Sequence, residues 1–525
     1  MSFFLTVAVL AMAAMDPEHS HEHSPQLGKL SFETTCSPAA QARFQTGLRW
    51  LHSFEYQESE RSFSAAAAAD PGCAIAYWGI AMSNYHPLWA APTPAEFAKG
   101  KDAIERAKAA SAKSERERAY VASLDTFYRD AGRRDLKTRV AAYSEEMRKL
   151  HGAYPNDDEA AVFYALSLIA EGAMDGDKTY PRQKRAAAIL NNVLARNPDH
   201  PGVTHYLIHS FDYPGLAELA LPAARRYATI APDSSHAQHM PSHIFTRLGL
   251  WDEAIKSNLA AEAAAKAHAA AMGMPGVWDQ ALHAMDYLTY AYLQTGQDEK
   301  ALEVLAELKS IKQADPPSLT VAYAVTAIPA RVLLEGRHWE QAAAFNLPPN
   351  LASLAAISNN KWAIANVHFA KAVGAARSGQ LKLAQAEIST LESIEQQLTI
   401  PPGEYDWRKQ IAIQRQIAEG WLAHATGNDD EALRIMRAAA DLDDATEKHP
   451  VTPGSILPAR EELGELLLAV GRPVEALAEY EASLARAPRR HAGLAGAAQA
   501  AKLAGKAEQA KRYDAALAEI SAVHH

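Results

Sequence analysis

Apolar helical stretches along the chain end repeatedly in a glycine: Gly215, Gly249, Gly296, Gly379, Gly427, Gly471 and Gly505. Five residues after each stands an alanine: Ala220, Ala254, Ala301, Ala384, Ala432, Ala476 and Ala510. Glycine permits a tight turn after a helix, and alanine lets the next helix pack closely against the one before. The pattern therefore predicts a series of helical hairpins. Pro232 and Pro488 stand where the second helix of a hairpin should stop, since proline cannot continue it. Phe54, Ser59 and Pro71 repeat the same offsets near the N-terminus without the glycine or the alanine. Segment 316–345 carries Gln341 in place of the alanine, and 172–185 reads as a loop insertion. Strand signals are nearly absent, and stretches such as 253–271 are rich in helix formers.

These offsets resemble the tetratricopeptide repeat family, most plainly in GLWDEAIKSNLAAEAA from 249 and GRPVEALAEYEASLARAP from 471. The resemblance covers most of 40–515 and implies an all-α, right-handed superhelical solenoid of hairpins. It also implies a concave groove lined by first helices, with ligand contacts at positions 2, 5 and 9 of each unit. Those positions are Gly202, His205 and His209 in one unit, His236, His239 and His243 in the next, then His283, Asp286 and Tyr290. The family mostly builds interaction surfaces, so the resemblance alone favours a non-catalytic peptide- or protein-binding scaffold.

The histidines point elsewhere. His205 and His209 are an i,i+4 pair, as are His239 and His243, and the pairs lie 34 residues apart, one repeat length. Rings four apart share a helix face, the arrangement a metal ion bridges. Neutral imidazole suits zinc, copper or iron, so the expected metal ligands are His205, His209, His236, His239, His243 and His283. Asp286 and Tyr290 are the expected acid, base or orienting groups of a metalloenzyme with an open coordination position. Asp212 is a candidate ligand or orienter. Pro241 should start or kink the central first helix and fold its histidines toward one point. His209 and His243 are expected to share one ion, with His52 outside the site. His52 and His86, also 34 apart, read as packing histidines or as groups closing the groove mouth. A proline-rich loop at 447–461 either connects repeats or covers the groove with Glu447, His449 and Glu461. Trp78, Trp251, Trp278 and Trp339 read as core or hairpin packing.

At 525 residues the chain is too long for one ordinary core, and its expected division is an array over 35–310 holding the metal groove and a second over 311–525. A net charge of −10 argues against nucleic acid. The apolar run 3–14 reads as a signal peptide over 1–14, followed by a flexible His-rich tail over 15–34 containing His19, His21 and His23. A periplasmic or secreted location follows, and with it a bridge between Cys36 and Cys73, the two cysteines. No segment beyond the signal reads as transmembrane. The expected partners are a metal ion and a small-molecule or peptide ligand in the groove. No serine-nucleophile elbow, phosphate loop or dinucleotide fingerprint occurs.

Overall fold

The computed structural model describes residues 25–88, 91–357, 360–401 and 403–522. The signal peptide and residues 15–24 of the tail lie outside these. The described chain is an all-α superhelical solenoid of helical hairpins, with one two-residue parallel pairing of Val277–Trp278 and Ala314–Asp315. Typical units are Pro38–His52 with Tyr56–Ala69, Pro201–Phe211 with Leu221–Ile230, and Asp279–Gln294 with Asp298–Ser310. No described helix is long and apolar enough to cross a membrane.

The glycine rule holds where it matters for the site. Gly249, at φ +66°, ends the helix Pro241–Leu248, and Ala254 five residues on is fully buried. In the first unit Phe54 stands at the glycine offset and itself adopts φ +55°, a conformation that costs a side-chain-bearing residue on the order of 1–2 kcal/mol. The segment 172–185 is no insertion: it spans the end of the helix Asp158–Asp175, a short turn and the start of Pro181–Leu194. At 316–345 the first helix Leu319–Glu335 is followed only by the short helix Trp339–Ala343, around Gln341.

The solenoid coils back on itself, and the six expected histidine ligands are buried at 0–6% exposure where an open concave groove was expected. The first hairpin packs on units far along the chain. Ser53 accepts a hydrogen bond from Tyr227 (3.1 Å), and Glu55 accepts from Ser234 (3.0 Å) and from the His236 amide (3.1 Å). Residues 25–34, expected to be flexible, are a strap held across later helices. Leu27 and Phe32 are buried, the Lys29 amide donates to the Asp199 carbonyl, and Gln26 pairs with Asp233. At the other end the hairpin His491–Ala522 returns to the middle of the chain, where the Trp251 indole donates to the Arg489 carbonyl and Gln294 accepts from the His491 amide. Two large buried apolar clusters result, with a small third of Ala265, Trp278 and Ala281. One runs from Phe32 to Ala355 and takes in Leu494 and Ile520; the other runs from Ala322 to Ala510, and Leu484 and Tyr513 pack against both. Trp78, Trp251 and Trp278 are buried, and Trp339 lies under the Arg377 guanidinium.

Cys36 and Cys73 form a disulfide with a sequence separation of 37. It ties the entry of the first hairpin to that of the second. A loop of this length is worth about 3–4 kcal/mol in the chain-entropy view. Reduction is therefore expected to lower the urea midpoint, and peptide mapping without reductant should return the 36–73 crosslink. Equal midpoints with and without reductant would contradict this.

Candidate metal centre

Six histidines meet inside the coil. His205, His209, His236, His239, His243 and His283 are all buried, at 0–6% exposure. They form two adjacent trios: His205, His209 and His236 in one, His239, His243 and His283 in the other, each with its ligand atoms within 4.8 Å of one another. Pro241 breaks the first helix of its unit into Ser235–His239 and Pro241–Leu248, joined through Met240 in helical conformation. His236 meets His205 at 3.2 Å, and His239 meets His243 at 3.0 Å across the break. The histidines around Pro241 are thus divided between two trios where they were expected to gather at one point. His209 and His243 accordingly fall in different trios, with ring centres 6.4 Å apart.

Hydrogen bonds on the outer nitrogens fix which ring atoms face inward. His239 Nδ1 lies 2.6 Å from Asn258 Oδ1, and Asn258 donates its amide N–H to the Ala254 carbonyl, so its oxygen is the atom that faces the ring. His243 Nδ1 lies 3.0 Å from the Asp212 carboxylate. Both partners only accept, so both rings carry their proton on Nδ1 and present an Nε2 lone pair. Those two Nε2 atoms stand 3.0 Å apart. Two lone pairs at that distance repel unless a positive centre lies between them. Burial lowers the basicity of both rings, that of His239 well below the ordinary histidine value, which disfavours a proton there. The Tyr287 hydroxyl does not fill the role: it stacks over His243, 3.4 and 3.3 Å from its two nitrogens, and donates to the Thr452 carbonyl at 3.1 Å. Two nitrogens on a tetrahedral ion at about 2.0–2.1 Å sit roughly 3.3–3.4 Å apart, so a metal needs the rings to part by only a few tenths of an ångström. His283 completes the trio, its ring centre 4.1 Å from that of His239.

In the first trio His205 donates from Nδ1 to the His52 carbonyl at 2.6 Å, leaving its Nε2 lone pair facing His209 Nε2 (3.0 Å) and His236 Nε2 (3.2 Å). Phe54 packs its ring against His205, His209 and His236, which is what its left-handed backbone achieves. Burial and neighbouring imidazoles push His209 down to about 3. A third group, His52, Glu159 and His200, has the composition of a site but is closed by protons. His200 accepts the Val203 amide on Nδ1 and turns Nε2–H to Glu159 (3.0 Å), while His52 Nε2 meets the other oxygen at 2.7 Å and its Nδ1 meets the Tyr206 hydroxyl at 3.0 Å.

Several expected roles are revised. Asp286 faces Arg331 at 3.4 Å, and the Tyr290 hydroxyl accepts from Arg490 at 2.7 Å; neither joins a trio. Gly202 abuts His52, whose ring a β-carbon there would meet at 2.3 Å. His52 is not remote, since its carbonyl orients His205. His86 packs on Tyr56 and lines the cavity described next. Asp212 is an orienter, shared by His243, Arg247 (2.8 Å) and Lys448 (3.4 Å). The 447–461 loop covers the site: Arg331 donates to the Gly454 and Ser455 carbonyls, Glu447 takes Lys178 at 3.0 Å, His449 packs on Trp407, and Glu461 binds Arg490. Asn258, Tyr287 and Lys448 carry no local sequence signal, and Phe54, legible only as a residue at the glycine offset, is a wall of the first trio.

A partly open cavity of about 900 Å³ is lined by Tyr85, Leu136, Ile169, His209, Trp407 and Lys448 among others. His209 is the only imidazole of the two trios that lines it, beside Asp212, Arg247 and Lys448.

No family model matches this chain, and no curated protein matches it. Among solved structures it is similar to the human IFIT1 dimer with PPP-AAAA, at 14% identity over 92% of this chain and 95% of that one, with a TM-score of 0.40. It is similar also to the APC/C hetero-tetramer Cut9–Hcn1 (13%, 88% and 76%, 0.34) and to yeast Tom70 (11%, 90% and 89%, 0.29). At such identities and scores the likeness is one of repeated-helix architecture, and no ligand or partner is taken from it.

Proposed function

We propose that this chain binds a transition metal, zinc, copper or iron, through His239, His243 and His283, with His205, His209 and His236 offering a second position beside it. The observation that supports this is the facing pair of Nε2 lone pairs on His239 and His243, forced by Asn258 and Asp212. Three neutral imidazoles leave a coordination position open, the arrangement in which a metal polarises a substrate or activates water. A metal-dependent enzyme is therefore the finer reading, with His209 giving access from the cavity. Asp286 and Tyr290 have no part in it. The Cys36–Cys73 bridge supports an oxidising compartment, periplasmic or secreted.

Elemental analysis of protein lacking residues 16–24 tests the reading, since that deletion removes His19, His21 and His23 while keeping the packed strap. One or two equivalents of metal per chain are expected to survive dialysis. Metal lost together with the tail would instead favour a scaffold whose histidines only hydrogen-bond.

A further inference from the structure

The two histidine trios lie hardly farther from each other than the rings within one of them. His236 and His239, one from each trio, stand on the same short helix Ser235–His239 with ring centres 6.2 Å apart, and a second such pair, His209 and His243, is 6.4 Å apart. Within the second trio His243 and His283 are 6.1 Å apart. An ion in either trio is therefore the near neighbour of an ion in the other. The donor set narrows the metal. Both trios consist of imidazole alone. Asp212 meets His243 at the outer Nδ1, Glu55 is bonded to Ser234 and the His236 amide, and the two cysteines are joined in the disulfide. Two dications side by side would bring four positive charges into a buried space that supplies no anionic ligand, and a buried charge without a partner is costly. Copper, for which imidazole is a good ligand, can enter as Cu(I) and halve that charge. Zinc has no such lower state, and paired irons in helical proteins are held by glutamates together with histidine.

We infer that the two trios hold a pair of copper ions, one in each, and that the reduced pair binds dioxygen. The inference rests on the metal reading above and gives it an element, a nuclearity and a substrate. Dioxygen is small and uncharged, and His209, which lines the partly open cavity, gives it a route to the first trio. Each Cu(I) gives up one electron and becomes Cu(II), the O–O double bond becomes a single bond, and the peroxide dianion so formed is held by both ions. No proton and no further reductant is used. The net charge of the buried site is the same before and after, because the dianion offsets the two charges that oxidation adds. A donor set without anions is suited to this ligand, which brings its own negative charge.

The test uses the full chain carrying His19→Ala, His21→Ala and His23→Ala, which takes the tail out of competition. It is loaded with Cu(I) under argon, desalted and then exposed to dioxygen. Two coppers per chain should be retained and one dioxygen consumed per pair. The oxidised protein should be nearly silent in electron paramagnetic resonance, because the unpaired spins of the two Cu(II) ions couple through the ligand they share. His209→Ala, in the first trio, and His283→Ala, in the second, should each keep one copper, lose dioxygen uptake and, after oxidation with ferricyanide, show the full signal of one isolated Cu(II). One copper per chain in the parent, two coppers with the full signal of two separate spins, or no dioxygen uptake would each overturn the inference and leave a metal site standing. Zinc or iron retained in parallel loadings where copper is not would do the same. Retention of none of the three would remove the metal reading and this inference with it.

Discussion

His243→Ala is expected to cost the protein most of its metal, and His239→Ala about as much. Loss of a supporting hydrogen bond to a metal-bound imidazole commonly weakens binding 10–100-fold, and loss of the imidazole itself should cost on the order of 100-fold or more. Asn258→Leu, which removes the acceptor on His239 Nδ1 and frees the ring to change tautomer, should fall within the smaller range. The double variant His239→Ala/His243→Ala should lose little more than either single variant, because both act through one bound ion. His209→Ala combined with His243→Ala should behave otherwise, with additive losses, since the two rings belong to different trios. Competition titration against a chelator measures all of these. Unchanged affinity in His239→Ala and His243→Ala alike would contradict the assignment.

Acidification should destabilise the metal-free protein. Burial keeps all six imidazoles below the ordinary histidine value, His209 down to about 3, while in the unfolded chain they titrate near 6.5. Below that pH the unfolded state takes up protons that the folded state refuses. Stability then falls as pH falls, by up to about 1.4 kcal/mol per pH unit for each imidazole. Buried acids act in the opposite sense. Glu55 is pushed up to about 8 by burial, Asp279 and Asp286 to about 6, and Glu462 to about 7. Each takes a proton in the folded state before the unfolded chain does, so each adds stability as pH falls toward the usual carboxylate range. His52, His86 and His491 are held low by burial as well, so the histidines outweigh the raised carboxyls and stability should fall as pH falls below about 6. Urea unfolding of metal-stripped protein at pH 7 and pH 5 checks this; equal or greater stability at pH 5 would be contrary to it. Metal should steepen the dependence, because protons compete for the same nitrogens.

Much of the fold can be read from local pattern, because a hairpin needs a glycine turn and a small residue at fixed offsets, and these recur along the chain. The six histidines were legible for the same reason: i,i+4 spacing sets two rings on one face, and the repeat length stacks one pair beside the next. What surrounds them depends on long-range closure that no local pattern encodes. The His52 carbonyl reaches His205 from 153 positions away, and Lys448 reaches Asp212 from 236. Asp286 and Tyr290 were placed by extending a column of groove positions, but the coil is filled at that level by Arg331 and Arg490, which take both side chains. Pro241 marks a helix start, as its sequence position suggests, but which neighbours its histidines meet depends on the helices on either side. Asn258 sits on the second helix of its unit, Trp251–Ala271, outside the columns of groove positions.

X-ray absorption at the metal edge, on protein lacking residues 16–24, bears most directly on a buried imidazole site. Three imidazole nitrogens at about 2.0–2.1 Å are expected for zinc, with their multiple-scattering signature reduced in His243→Ala. A shell of oxygen ligands alone, or no bound metal in the tail-deleted protein, would contradict a metal centre at His239, His243 and His283.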